Sequence, residues 1–227
     1  MASEYVLQRG VRDPQPPEGR AAQPSRYDGG QDKPVPPAGR PGTEAGTDGK
    51  PVGFLPAQRR LHWIVAGLVV VQLTFGMWIG AVSAQPGNAE LLGRLFAVHG
   101  GTGALIFVLM LARLRLRRDI GVPPPTPGTP ALAAMLARLN HHAFYVLLIA
   151  LPVIGWFALG AHGVPLSLFG ILDLPAPIAA DHDSAVVLGR MHGGLALLLV
   201  AAIAAHLAGV VYHTRGRRDG TLQRMSL

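Results

Sequence analysis

Two histidines, His192 and His206, stand fourteen residues apart on one apolar run, Leu188 to His213, with no Lys, Arg, Asp or Glu between Arg190 and Arg215. Such a run is long enough to cross a bilayer as a helix, which needs about 20 apolar residues. At roughly 100° and 1.5 Å per residue, fourteen residues return to within about 40° of the starting direction after a rise of about 21 Å. Both imidazoles therefore share a face, one near each side of the membrane. Polar side chains at such depths are costly and by default functional. Neutral imidazole is also a common axial ligand of haem iron.

The elements that must position these residues are readable from the hydropathy pattern. Four segments qualify as membrane helices, roughly 60–82, 94–114, 139–159 and 187–213. The third contains Pro152, a site for a kink. The breaks between them carry Pro and Gly, including five prolines from Val122 to Pro130. The apolar but Pro- and Gly-rich segment 165–178 is too short to span and reads as an external cap or interfacial piece. The expected class is all-α: an integral membrane four-helix bundle over residues 57–227. Residues 1–56 hold ten prolines and scattered charges of both signs without periodicity, the pattern of a disordered tail.

Charge position fixes the expected sidedness. Nine Lys/Arg precede the first span. Arg113, Arg115, Arg117, Arg118 and Arg138 lie between the second and third. Arg215, Arg217, Arg218 and Arg224 follow the fourth. The other two connections hold only Arg94 and Arg190 as basic residues. This positive-inside pattern puts both termini in the cytoplasm. The net charge of +7 is then a matter of topology and lipid headgroups, and nucleic acid is not an expected partner. The chain has no cysteine, which excludes disulfides, iron–sulfur clusters, thiolate-bound metals and covalent c-type haem.

Sidedness turns sequence position into depth. His62 falls near the cytoplasmic face and His99, five residues past Arg94, near the outer face. His192 is outer and His206 inner. That gives two levels, His99 with His192 and His62 with His206, each suited to one bis-histidine haem. A single membrane histidine is often only an interhelical hydrogen bonder. Four at two matched depths favour ligation, and the absence of carboxylates within the spans disfavours other metals. Gly100, Gly101, Gly103, Gly193 and Gly194 would let a flat macrocycle or a neighbouring helix approach closely.

The remaining polar groups have weaker assignments. His162 and His182 read as solvated loop residues, and His141 and His142 as interfacial. His213 lies on the face of His206, seven residues on, as its rival or as a propionate contact. Arg59, Arg60, Arg94 and Arg190 flank the ligand levels, where they either pair with haem propionates or serve only topology.

Taken in order, these residues resemble the bacterial cytochrome b561 family of four-helix membrane di-haem cytochromes b. The resemblance rests on Arg59-Arg60-Leu61-His62-Trp63 with Ala66, His99 with Gly103 and Ala112-Arg113-Leu114-Arg115, and His141 with Tyr145. It continues through Phe169-Gly170 and Leu174-Pro175 to His192, His206, His213, Asp219, Leu222 and Arg224-Met225. It covers about residues 57–226. It implies haem ligands at His62, His99, His192 and His206, a bacterial cytoplasmic-membrane location, and electron transfer linked to ubiquinone or menaquinone. Some members resemble superoxide:quinone oxidoreductases, but the lysine usual after the second-span histidine is Gly100 here, and the Pro-rich tail is not part of the pattern.

With both axial positions filled, an iron has no open site, which favours outer-sphere electron transfer over oxygen activation. The expected function is a relay of electrons across the membrane, with quinone exchange near His141, Tyr145 and Arg138. Alternatives are a superoxide:quinone oxidoreductase, a haem-bearing anchor subunit of a dehydrogenase or hydrogenase, and a haem-free helical transporter. Membrane lipid, quinone and a redox partner are the expected partners. The identity of that partner and the oligomeric state, a homodimer included, stay open.

Overall fold

The computed structural model describes residues 53–227. The expectation of a tail over 1–56 therefore lies almost wholly outside the described residues.

Four long helices make up the described chain: α1 (Pro56–Ser83), α2 (Ala89–Ile120), α3 (Ala131–Ala161) and α4 (His182–Val211). A π-helical turn, Tyr212–Arg217, extends α4, and a short 3-10 turn covers Gln223–Met225. All four helices are long and apolar enough to cross a membrane. They overrun the apolar windows read from the sequence because a helix continues past the hydrocarbon edge while its composition turns polar. α2 keeps its helix through Arg115, Arg117 and Arg118 to Ile120. Pro152 lies inside α3 without ending it.

α1 packs on α2, α2 on α3, and α3 on α4. α4 keeps its backbone away from α1 and α2, so those faces meet through side chains. The core lies at mid-height: Val65 and Val69 of α1, Ile106 and Met110 of α2, Leu147 and Leu151 of α3, Leu199 and Ala202 of α4. Ile106 and Met110 are the most buried. The outward faces are apolar too, with Ile64, Val70, Met77, Val108, Val146 and Leu197 exposed. An apolar exterior of this extent suits lipid rather than water.

One element departs from the all-α expectation. Residues 165–178 are not simply an irregular cap: Leu166–Leu168 (β1) and Leu172–Leu174 (β2) form a two-stranded antiparallel hairpin. Phe169, Gly170 and Ile171 form its three-residue loop, with positive φ at Phe169 (56°) and Gly170 (75°) and Ile171 N donating to Leu168 O (3.0 Å). The loop is pinned at several points. Phe169 N donates to Ala97 O of α2 (3.2 Å), Trp156 Nε1 of α3 donates to Pro175 O (3.1 Å), and Asp181 caps α4 by accepting from Ser184 N (2.8 Å). This end is called the hairpin end below. The opposite end, where α1 begins and α4 finishes, is the terminal end.

Candidate functional site

The four histidines singled out by spacing come together as two pairs. His62 of α1 faces His206 of α4 with ring centroids 6.4 Å apart, and His99 of α2 faces His192 of α4 at 6.1 Å. His192 and His206 lie on one unbroken helix, so the two levels are about 21 Å apart along α4. The mid-height core fills the space between them.

The same fourteen-residue step runs through every helix. On α1 it leads from His62 to Gly76, on α2 from His99 to Arg113, on α3 from His141 to Gly155, and on α4 from His192 to His206. The hairpin-end layer is thus Gly76, His99, Gly155 and His192, and the terminal-end layer His62, Arg113, His141 and His206. In the first layer the glycines make room for the rings. A Cβ at Gly76 would stand 3.3 Å from His99 Cε1, and one at Gly155 3.1 Å from His192 Cε1. Gln72 also reaches this layer, its amide donating to His99 Nε2 at 3.1 Å.

The terminal-end layer is richer in polar groups. His141 meets His206 edge-on at 5.5 Å and donates from Nδ1 to Ala137 O (2.6 Å), while Phe144 packs on His206 at 5.5 Å. Arg113 lies within electrostatic reach of His62, His206 and Tyr145. Arg117 sits over the Tyr145 ring at 5.7 Å. Among the described residues no carboxylate is paired with Arg113. A cation in a membrane segment without a counter-charge is itself a functional signal.

These surroundings fit a flat, iron-centred macrocycle at each level. A metal–nitrogen distance of about 2 Å puts the centroids of two axial imidazoles about 6 Å apart, close to both observed separations. The Nδ1 atoms of His62, His99 and His192 are buried without hydrogen-bond partners. Buried polar atoms left unsatisfied call for a ligand. Each pair also bridges helices whose backbones stay apart, α1 with α4 and α2 with α4.

Other residues picked from the sequence lie elsewhere. His213 donates from Nδ1 to Asp219 Oδ2 (2.7 Å), in a cluster formed with the C-terminal segment. Arg94 is held by Glu90 in an exposed pair at 2.6 Å, and Arg190 is exposed on α4. Arg59 donates to Ser226 O (2.6 Å), and Arg138 is exposed with its carbonyl bonded by His142. Gly193 and Gly194 have open space around them. Gly100 and Gly101 admit the hairpin: a Cβ at 100 would collide with Leu166, and one at 101 would stand 2.8 Å from the Phe169 ring. Sequence reasoning missed Gly76, Gly155 and Gln72, and left Arg113 as a topology determinant. The fourteen-residue step, applied to all four spans, would have flagged both glycines and Arg113.

Comparison with known proteins agrees with this architecture. Residues 54–226 match the family model described as prokaryotic cytochrome b561. The chain is 32% identical over 165 residues, 72% of its length and 86% of the relative's, to cytochrome b561 homolog 2 of Escherichia coli (strain K12). It is 30% identical over 165 residues, 73% of its length and 90% of the relative's, to the probable superoxide oxidase CybB of Yersinia pestis. To cytochrome b561 homolog 1 of Escherichia coli (strain K12) it is 28% identical over 173 residues, 76% of its length and 96% of the relative's. The chain belongs to the prokaryotic cytochrome b561 family, multi-pass bacterial membrane proteins of haem b electron transfer.

Proposed function

We propose that this chain binds two b haems and passes electrons between them across the bacterial cytoplasmic membrane. His62 and His206 hold the haem at the terminal end, and His99 and His192 hold the one at the hairpin end. The observation that carries this is the pair of facing imidazoles at each of two levels, 6.4 Å and 6.1 Å between centroids. Bound haem would supply a one-electron couple, with His62 and His206, and His99 and His192, as the residues that would hold it. The protein fixes the rings, excludes water with the mid-height core, and has in Arg113 a cation near His62 and His206 that would be available to an anionic propionate.

The arginines of the α2–α3 connection and the C-terminus support a cytoplasmic terminal end. A quinone exchanges electrons there, near His141 and Tyr145. His206, not His213, faces His62, so His213, bonded to Asp219, is assigned to the support of that end rather than to iron. Arg94 and Arg190 serve propionates only if Glu90 releases the first. The membrane domain begins close to Pro56, where α1 starts. A pyridine haemochrome assay on purified protein tests the reading. Two non-covalent haems per chain are expected, and one or none would overturn it.

A second reading, oxidation of superoxide with quinone as acceptor, is favoured by the name of the Yersinia pestis relative. Gly100, where the family resemblance has a lysine, weighs against an anion-steering outer face in this chain. Quinone reduction driven by superoxide in the purified protein separates it from a relay.

A further inference from the structure

The C-terminal segment is held by one carboxylate. Asp219 Oδ2 accepts from His213 Nδ1 (2.7 Å), Arg217 Nε (3.0 Å) and Thr126 Oγ1 (3.1 Å). Its Oδ1 accepts from Thr221 Oγ1 (2.6 Å) and Thr221 N (3.2 Å). The cluster is shielded: Asp219 and His213 side chains are 10% and 16% exposed, and Thr126 is buried. Burial works against the Asp219 charge, yet the bonds from Thr221, His213 and Arg217 hold its carboxyl well below the usual carboxylate range. The turn around it contains two left-handed residues, Arg218 (φ 51°) and Gly220 (φ 76°). For arginine that backbone is unfavourable, so it persists where surrounding bonds impose it.

The segment thus folded lies across the start of α1. Phe54 N donates to Arg224 O (3.2 Å), Arg59 Nη1 to Ser226 O (2.6 Å) and Trp63 Nε1 to Met225 O (2.9 Å). Arg224 Nη1 in turn donates to Pro124 O of the α2–α3 connection (2.8 Å). The Trp63 ring meets His62 edge-on at 5.4 Å. A continuous set of contacts therefore runs from Asp219, through the backbone of residues 219–226 and Trp63, to His62. Among the described residues no comparable set of contacts ties the C-terminal segment to His99 or His192, about 21 Å away along the bundle.

We propose that Asp219 is a positioning residue for the His62–His206 pair, folding residues 219–226 into a cap that fixes Trp63 against His62 and closes the terminal end to water. This rests on the haem assignment above. A less hydrated site and a fixed imidazole both tune the potential of a bound haem.

The test uses the full chain, in which Met225→Cys introduces a unique thiol because the natural sequence has no cysteine. Modification by a membrane-impermeant maleimide is timed in inverted membrane vesicles, alone and combined with Asp219→Asn or the milder Thr126→Val. Redox titration of the same variants follows each haem, with His62→Ala identifying the terminal-end one. Asp219→Asn is expected to speed labelling several-fold and to shift only the terminal-end haem. Thr126→Val should act in the same direction but less, and Thr126→Ser, which keeps the hydroxyl, should leave both readouts near native. Unchanged labelling would overturn the cap. Faster labelling with no haem shifted would overturn the positioning role. Equal shifts of both haems would mean general loosening and overturn it as well. If the native chain proved haem-free, the haem assignment and the positioning role would both fall, while the labelling rates would still decide whether the cap exists.

Discussion

The His99 ring lies in a hollow that exists only because residue 76 is glycine: a Cβ there would stand 3.3 Å from His99 Cε1. Gly155 does the same for His192 at 3.1 Å. In each case a helix that carries no ligand at the hairpin-end level gives up its side chain at the matching height.

Gly155→Ala and Gly76→Ala are therefore expected to strain the hairpin-end site, and Gly155→Val to lose it. The β-carbon contacts are closer than ordinary van der Waals distance, and packed interiors relax poorly around added bulk. The expected result is a fall from two haems to about one per chain for Gly155→Val, with the terminal-end haem spectrally intact. Haem-to-protein ratios and low-temperature spectra measure this. Loss of both haems together would show that the glycines serve general helix packing instead.

The histidine pairs make a sharper prediction. His62→Ala and His206→Ala should give the same spectrum, and His99→Ala and His192→Ala the other, if each facing pair holds one haem. His141 is the informative control. Its ring meets His206 edge-on at 5.5 Å and its Nδ1 donates to Ala137 O, which leaves Nε2 free. His141→Phe should retain two haems while shifting the terminal-end one. A variant lacking that haem altogether would place His141, rather than His62 or His206, on the iron.

Much of this arrangement was legible in the sequence, for identifiable reasons. Long uncharged runs have few alternatives to membrane helices, and successive spans run in alternate directions, so His62, His99, His192 and His206 could be set at two depths. The pairing followed from that arithmetic. Gly76 and Gly155 were not legible, because a glycine on an apolar helix gives no chemical signal until a neighbour's ring is seen beside it. Gly100 and Gly101 looked like room for a macrocycle and prove to be room for Leu166 and Phe169. That hairpin escaped notice because three-residue strands bounded by Pro and Gly show no usable period. Asp219 was visible only as part of a resemblance. Its role appears once Thr126, ninety-three positions away, is seen to donate to it.

The Asp219 cluster has a pH signature whose sign is fixed. Its carboxyl is held below the usual carboxylate range in the folded chain. Its contribution is then fully present above the unfolded value of about 3.9 and fades as pH falls below that toward the folded value. Asp219→Asn should melt roughly 2–6 °C below the native protein at pH 6–8. The gap should narrow progressively as pH falls below about 4, where the unfolded chain's carboxyl takes up a proton that the folded one still resists. Melting followed by circular dichroism in detergent checks both arms. A gap that stayed constant down to the lowest pH at which the bundle survives would show that the charge of Asp219 is not what matters.

The last prediction concerns anions at the hairpin end. Arg94 is already held by Glu90 at 2.6 Å, and Asp181 and Asp183 open α4 at the same end, so the local field offers an anion little attraction. Superoxide oxidation by the native chain should be slow and only weakly dependent on ionic strength. Gly100→Lys adds a charge one residue from His99, but it also drives a side chain against the buried Leu166. Its effect must therefore be read against Gly100→Met, which brings similar bulk without charge. The lysine variant should oxidise superoxide faster than the methionine variant. The difference should be largest at 0.01 M salt, where the Debye length is about 30 Å, and should shrink at 0.15 M, where it is about 8 Å. If the two variants matched at all salt concentrations, charge at position 100 would have no part in anion capture. If the native chain were already fast and steeply salt-dependent, the enzyme reading would replace the relay.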